Sequence, residues 1–417
     1  MGGHDASFYK ASEGRPHAER LREQEERLRA VLSQAFDTSA AVRHALATTG
    51  LSPRTITLAD LPRLPLVRKD RLPSLQAQAL PFGGWLGVGV AELRRIFVSP
   101  GPIYEPEGTE PDYWGFAPAL HAAGFRRGDM VLNAFSHHLT PAGAMFEGAL
   151  AALGCVAVPT GVGNLEIQVK TALDLRARGF IGTPSFLSAL LAKIEELRAA
   201  SPFGLAFVSG EPLDEALRTD LEQRFRLRIS QGYAIGDLGL IAYECPQRLG
   251  LHLDDRVIVE LVDPKTGGAP GRGEQGEVVV TFLHPVYPLL RLATGDLSHL
   301  AASDCPCGRT APRLERIEGR IGEAVKVRGI FLYPHDIERA LARYPEIRRY
   351  QAVITREGLL DELIIRVASD AADREVLAER IAQSVYEATR LRAAVEIVPP
   401  GVVWPEEKKI VDRRPAS

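Results

Sequence analysis

The chain has 417 residues, 45% of them hydrophobic and 25% charged, with a formal net charge of -3 and a sequence pI of about 6.4. Charge of both signs, interspersed at that level, leaves no nucleic-acid footprint and no polybasic membrane patch, and the length allows more than one domain. Small-molecule partners are expected. The first 28 residues lack an apolar core segment and no later stretch reaches the length of a membrane span, so the expected location is the cytoplasm.

In chain order, "AERLREQEERLRAVLSQAF" has helical periodicity with a charged outer face, and "LADLPRLPLVRKDRLPSL" reads as proline-punctuated short turns serving as scaffold. The stretch "FVSPGPIYEPEG", residues 97–108, runs from an apolar segment into three prolines, two glycines and two glutamates, which predicts a strand ending in a rigid turn. It contains no lysine. From residue 114 the apolar runs "DMVLNAF", "CVAVPTG", "GFIGTP" and "LAFVSGEPL" alternate with helical patterns, the signature of a parallel α/β sheet. Ligands in such sheets sit beyond the carboxyl ends of the strands, which points to the loops at Ser136, Gly161, Thr183, Ser209 and Tyr233. Beyond 255, "RVIVELVDP", "GEQGEVVVTFL" and "PLLRLATGDLSHL" predict a β subdomain. A helix and strands then alternate over about a hundred residues, a domain-sized stretch. The expected division is a large N-terminal domain, 1–317, and a small C-terminal α+β domain, 318–417.

Of the four cysteines, Cys155 lies alone in an apolar run, whereas Cys245, Cys305 and Cys307 accompany His252 in turn-rich segments flanking the β-rich region. Three soft sulfurs and an imidazole suit tetrahedral Zn²⁺ with no position left open for chemistry, so the set predicts a structural zinc site and argues against a zinc hydrolase. Simple burial of the thiols is the alternative.

The blocks "SGEPLDEALRTDLEQRF", "GYAIGDLGLIAYEC", "GLHLDDRVIVELVDPKTGGAPGRGEQGEVVVTFLHPVYPLLRLATGDL", "CPCGRTAPRLERIEGRIGEAVKVRGIFLYPHDIERAL" and "KKIVDRR" follow one another from about 205 to 413, and "ADLPRLPLVRKDRL" precedes them. Together they resemble the phenylacetate-CoA ligase branch of the adenylate-forming acyl-CoA ligases. The resemblance implies the adenylate-forming fold with a mobile C-terminal domain, MgATP and CoA as reactants with a small carboxylic acid, an acyl-adenylate intermediate, and a homodimer.

It also implies roles for individual residues. Asp296 in "TGDL" would accept hydrogen bonds from the ribose hydroxyls, a task for a group with only acceptors; a turn aspartate is the plainer alternative. Ser209, Gly210, Glu211 and Pro212 would line the adenine, or form an ordinary strand-to-helix turn capped by Asp214. Tyr233 would lie beside the base. Asp237, where the family has a YGxSE-like pattern, would hold Mg²⁺ through oxygen or be a solvated loop carboxylate. Arg320 would bind ribose or phosphate near a hinge at Gly322 and Glu323. Lys408 or Lys409 would reach the α-phosphate, without the glycine that usually precedes that lysine.

The stretch "SPGPIYEPEG" replaces the family's lysine-bearing phosphate loop. Ser99 and Gly101 can still offer a hydroxyl and an N–H, while Glu105 and Glu107 repel phosphate unless they turn away or meet Mg²⁺. Phe135, His137, His138, Gly161 and Gly163 follow two parallel strands and would line a mixed apolar and polar acyl pocket suited to an aromatic or modest-sized acid. No proton-transfer role falls to the histidines. The alternatives are an acyl-adenylate former that uses an amine or carrier-protein thiol, and a non-catalytic nucleotide- or acyl-binding relative.

Overall fold

The computed structural model describes residues 8–414 apart from 101, 265, 272, 322–324, 329, 358, 359, 403, 405 and 407. The chain forms two units, Met1–Ile317 and Glu318–Ser417. In the first, helices α1 (His17–Thr38) and α2 (Ala40–Thr49) lead through the short strand β1 (Val67–Arg68) and helix α3 (Leu72–Gln78) to strands β2 (Arg95–Ser99) and β3 (Ile103–Glu107). An alternating series follows: α4 (Ala117–Ala123), β4 (Met130–Asn133), α5 (Ala142–Leu153), β5 (Val156–Pro159), α6 (Leu165–Leu175), β6 (Gly179–Gly182), α7 (Pro184–Glu196), β7 (Leu205–Val208), α8 (Glu215–Phe225) and β8 (Arg228–Ile235).

The apolar runs become strands covered on both faces because successive side chains point to opposite sides. Val131, Ile181 and Phe207 pack with α4 and α5, while Leu132, Phe180, Ala206 and Val208 pack with α6, α7 and α8. Helix ends obey local chemistry. Asp214 caps α8 by accepting from the Ala216 and Leu217 N–H groups, and Gly124 and Gly154 end α4 and α5 in the left-handed conformation.

Strands β4 to β8 pair in parallel, and β8 then pairs antiparallel with β9 (Gly239–Glu244). The β-rich strands β10 (Leu251–Leu253), β11 (Val257–Val262), β12 (Gly276–Phe282), β13 (Leu292–Leu300) and β14 (Arg313–Arg320) extend the same sheet, which has twelve strands in the order β11-β12-β13-β14-β10-β9-β8-β7-β6-β4-β5, with β1 alongside β13. The second unit holds a β15 (Val325–Val327) and β16 (Ile330–Leu332) hairpin, and a four-stranded sheet ordered β19-β18-β17-β20. Those strands are β17 (Ile347–Glu357), β18 (Leu360–Ser369), β19 (Ala394–Val398) and β20 (Ile410–Asp412). Helices α9 (Pro334–Leu341) and α10 (Arg374–Thr389) bury Ile337, Leu341, Leu377, Ile381 and Val385 in a core with Ile365 and Val367. Among the described residues, no helix is long and apolar enough to cross a membrane.

The predicted rigid turn at 97–108 is a β-hairpin instead. Residues Arg95 to Ser99 pair with Glu107 back to Ile103, so "IYEPE" is a strand although it contains Pro106. A two-stranded sheet has two edges, and an edge strand tolerates a residue without an N–H. The register puts Glu105 opposite Phe97 and Glu107 opposite Arg95, and both glutamates are buried.

One buried ion pair braces the switch from parallel to antiparallel. Arg218 of α8, 2% exposed, donates to Glu244 of β9 at 2.8 Å, and Glu244 also accepts from the Gln231 side chain at 2.8 Å. Arg218→Ala leaves the carboxylate buried without its counter-charge, so it is expected to lower the stability of this unit by about 3 kcal/mol, read as the shift in its thermal or urea unfolding transition.

Candidate active site

Strand β8 is where parallel pairing ends; Tyr233 stands near its carboxyl end and Ser209 follows that of β7, while Thr294 and Asp296 belong to β13. The hydroxyl of Tyr233 donates to Asp296 at 2.7 Å and lies 3.2 Å from the Thr294 hydroxyl. Asp296 is 4% exposed, and its own N–H donates to Thr294, which in turn donates to the Val278 carbonyl. Gly295, with φ of +82°, turns the chain so that its N–H meets Glu277. The "TGDL" turn is thus clamped from both sides, which fixes where the Asp296 oxygens point.

Beside it, Ser209 follows β7 and donates to the Gly232 carbonyl at 2.9 Å. Gly210 has φ of +82°, a conformation L side chains avoid, and faces the Phe135 ring. Glu211 is tied to the start of α7 through the Ser185 N–H and hydroxyl, and Pro212 is exposed. Phe135 stacks on Phe146 with centroids 5.2 Å apart, giving an aromatic wall. Gly161 and Gly163 both have positive φ with open space where a side chain would stand, and their carbonyls are fixed by the Gln168 amide. His137 lies 3.6 Å from Glu147, while His138 is exposed.

Asp237 is buried, not solvated. It is 1% exposed, and neither carboxylate oxygen accepts a hydrogen bond; the Lys69 ammonium lies 2.9 Å from Oδ2 as an ion pair. Orphaned buried oxygens of this kind fit a hard cation. Ser99 donates to Glu105 at 2.7 Å, and Arg95 embraces Glu107 with two bonds, so neither glutamate presents a bare charge. Burial, with the Asp237 charge added, pushes Glu105 up to about 8. Glu277, also buried, is pushed up chiefly by desolvation, with Arg68 opposing at 3.8 Å.

The residue types of Lys69, Arg68, Glu277 and Thr294 do not announce a site, although all four lie within the stretches that carry the family resemblance. The first two sit in the segment that reads as scaffold. Gly101, Gly322 and Glu323 lie outside the described residues. In the second unit Lys408 is exposed and makes no ion pair among the described residues, whereas Lys409 pairs with Glu338. Arg320 is exposed at the end of β14.

The four soft ligands come together in the first unit. The Cys245 and Cys305 sulfurs are 3.6 Å apart, Cys307 Sγ lies 3.4 Å from His252 Nε2, and all four ligand atoms fall within 4.8 Å of one another. A tetrahedral zinc with Zn–S of about 2.3 Å separates its sulfurs by about 3.8 Å, so the spacing fits. The other ring nitrogen, Nδ1, lies 3.1 Å from the Ala311 carbonyl, and burial drives His252 down to about 4, leaving Nε2 a neutral donor.

Known proteins resemble this chain over most of its length. Residues 329–414 match the AMP-binding enzyme C-terminal domain family. The chain is 32% identical to the phenylacetate-coenzyme A ligase of Thermus thermophilus, over 91% of this chain and 92% of that protein. It is 26% identical to that of Escherichia coli, over 82% and 81%. A crystal structure of 2-hydroxyisobutyryl-CoA ligase with an acyl-AMP in the postadenylation state superposes with a TM-score of 0.85 at 26% identity, covering 99% of this chain and 94% of the other.

The acid pair gives a sign that can be checked. A folded value near 8, above the ordinary 4.5, means that Glu105 contributes stability fully below about 4.5 and loses it as pH rises through 8. Glu105→Gln, which carries no titrating proton there, should gain stability relative to the parent between pH 5 and pH 8 in chelator, measured by thermal melting. A difference that stays flat across that window would show that Glu105 is already ionised.

Proposed function

The chain belongs to the phenylacetate-CoA ligase family, and from that premise we propose how its residues divide the work of an ATP-dependent, AMP-forming ligation of a carboxylic acid to CoA. The substrate carboxylate oxygen bonds to the α-phosphorus of ATP and pyrophosphate leaves; the CoA thiol then bonds to the acyl carbon and AMP departs. The observation that carries the site assignment is the buried Asp296, held by the Tyr233 hydroxyl beside the Ser209–Pro212 turn.

Asp296 accepts from both ribose hydroxyls, which places the nucleoside. Tyr233 and residues 209–212 flank the adenine, and Ser99 with Gly101 borders the phosphates. Asp237 offers oxygen to Mg²⁺, whose charge neutralises the triphosphate. Arg320 takes ribose or phosphate near the pivot of a mobile C-terminal domain. The α-phosphate contact goes to Lys408, since Lys409 is engaged with Glu338. The Phe135 wall and the open turn at Gly161 and Gly163, with His137 and His138 at the margin, favour an aromatic or modest-sized acid. The cluster of Cys245, His252, Cys305 and Cys307 holds a structural Zn²⁺, closed to chemistry by its four protein ligands. The family likeness extends the reading to a cytoplasmic homodimer, which light scattering of the purified protein checks.

Pyrophosphate release from MgATP over a panel of aryl and short aliphatic acids, with and without CoA, tests the reading: one class should drive release, with its thioester appearing when CoA is present. Asp296→Asn, which keeps one acceptor oxygen but loses the other and the charge, should cut kcat/KM for ATP about a hundredfold. Lys408→Ala should slow adenylate formation by about 10²-fold while Lys409→Ala has a far smaller effect; the reverse order would move the contact to Lys409. Elemental analysis of chelator-washed protein should find one zinc per chain, lost in Cys305→Ser and Cys307→Ser, and metal-free parent protein would remove the site.

A further inference from the structure

The lysine-free loop leaves a question of charge, and the side chains around it suggest an answer. Three segments distant in sequence meet here: Lys69 after β1, the β2–β3 hairpin with Ser99 and Glu105, and the Gly236–Asp237 turn after β8. One Glu105 oxygen accepts from Ser99 at 2.7 Å. The other lies against Gly236, where an added Cβ would stand 2.2 Å from it, so a side chain at 236 would move this carboxylate from its present place. Asp237 is within electrostatic reach of Glu105, and Lys69 acts on both acids. Both carboxylates are 1% exposed, and neither Asp237 oxygen accepts a hydrogen bond.

Two buried carboxylates facing one ammonium cannot both ionise without an excess negative charge, and Asp237 Oδ1, buried with no donor, is costly away from water. A hard divalent cation removes both deficits, and two carboxylates with a hydroxyl leave several positions of an octahedron for waters or phosphate oxygens. Resting on the assignment of Asp237 to Mg²⁺, we propose that Glu105 is a second carboxylate ligand for that cation, so that this loop binds the triphosphate through the metal in place of a lysine. Lys69 is the stand-in charge: its ammonium covers Asp237 Oδ2 until the cation takes that oxygen. The loop's acid, unfavourable toward phosphate alone, becomes the group that anchors phosphate's counter-ion.

The test reads cation binding and needs no turnover. Mn²⁺ is titrated into nucleotide-free holoprotein and followed by the loss of the free-ion EPR signal, for the parent, Glu105→Gln, Asp237→Asn and Lys69→Met, each checked for folding by its melting curve in chelator. The parent should bind Mn²⁺, Glu105→Gln and Asp237→Asn should each weaken binding at least about tenfold, and Lys69→Met should tighten it because the competing ammonium is gone. Binding by Glu105→Gln equal to the parent's, or no binding by the parent, overturns the proposal. Acid-dependent pyrophosphate release by the parent separates the two readings: release with parent-like Mn²⁺ binding in Glu105→Gln removes this inference alone. Mn²⁺ binding as expected without release removes the substrate assignment alone.

Discussion

Taking a carboxylate out of water costs several kcal/mol unless a counter-charge or hydrogen-bond donors replace the lost hydration, and this chain does so repeatedly around the candidate site. Glu105, Asp237, Glu277 and Asp296 are all at most 4% exposed. Each is met differently: Asp296 by a tyrosine hydroxyl, Glu277 by a backbone N–H with Arg68 nearby, Glu105 by Ser99, and Asp237 by an ammonium alone. The Tyr233 hydroxyl fixes Asp296 and leaves it lone pairs to offer, while Asp237, met by an ammonium alone, is the acid proposed to hold a cation.

What gathers these acids is a change of connection. Up to β8 each strand is reached by a helical crossover and lies parallel to its neighbour; after β8 the chain returns by tight turns, and the sheet becomes antiparallel. Strand β8 belongs to both regimes, and the register slips between Tyr233 and Ala234. A slip there re-aims one side chain without disturbing the strand's ends.

The parallel strands were legible because burial on both faces demands continuous apolar runs, and "GFIG" and "LAFV" are such runs. The Asp214 cap was legible because the rule is local. The cluster of Cys245, His252, Cys305 and Cys307 was legible from donor chemistry, although its members are far apart in the chain. The hairpin at 95–107 was not: proline and glycine argue for a turn, and only pairing with Arg95 to Ser99 makes a strand of "IYEPE". For the same reason the fate of Glu105 and Glu107 could not be read; the partners that cover them become neighbours only through strand register. Lys69 was hidden more deeply, since a basic residue in a proline-rich segment usually faces solvent, and its importance comes from an acid 168 positions away.

The close approach at Gly236 also links that residue to the hairpin. Any side chain at 236 would meet the Glu105 carboxylate and move it from its present place. A change at either position is therefore felt at the other, although the two lie far apart in the chain: the bare residue at 236 lets the acid at 105 keep its bond to Ser99.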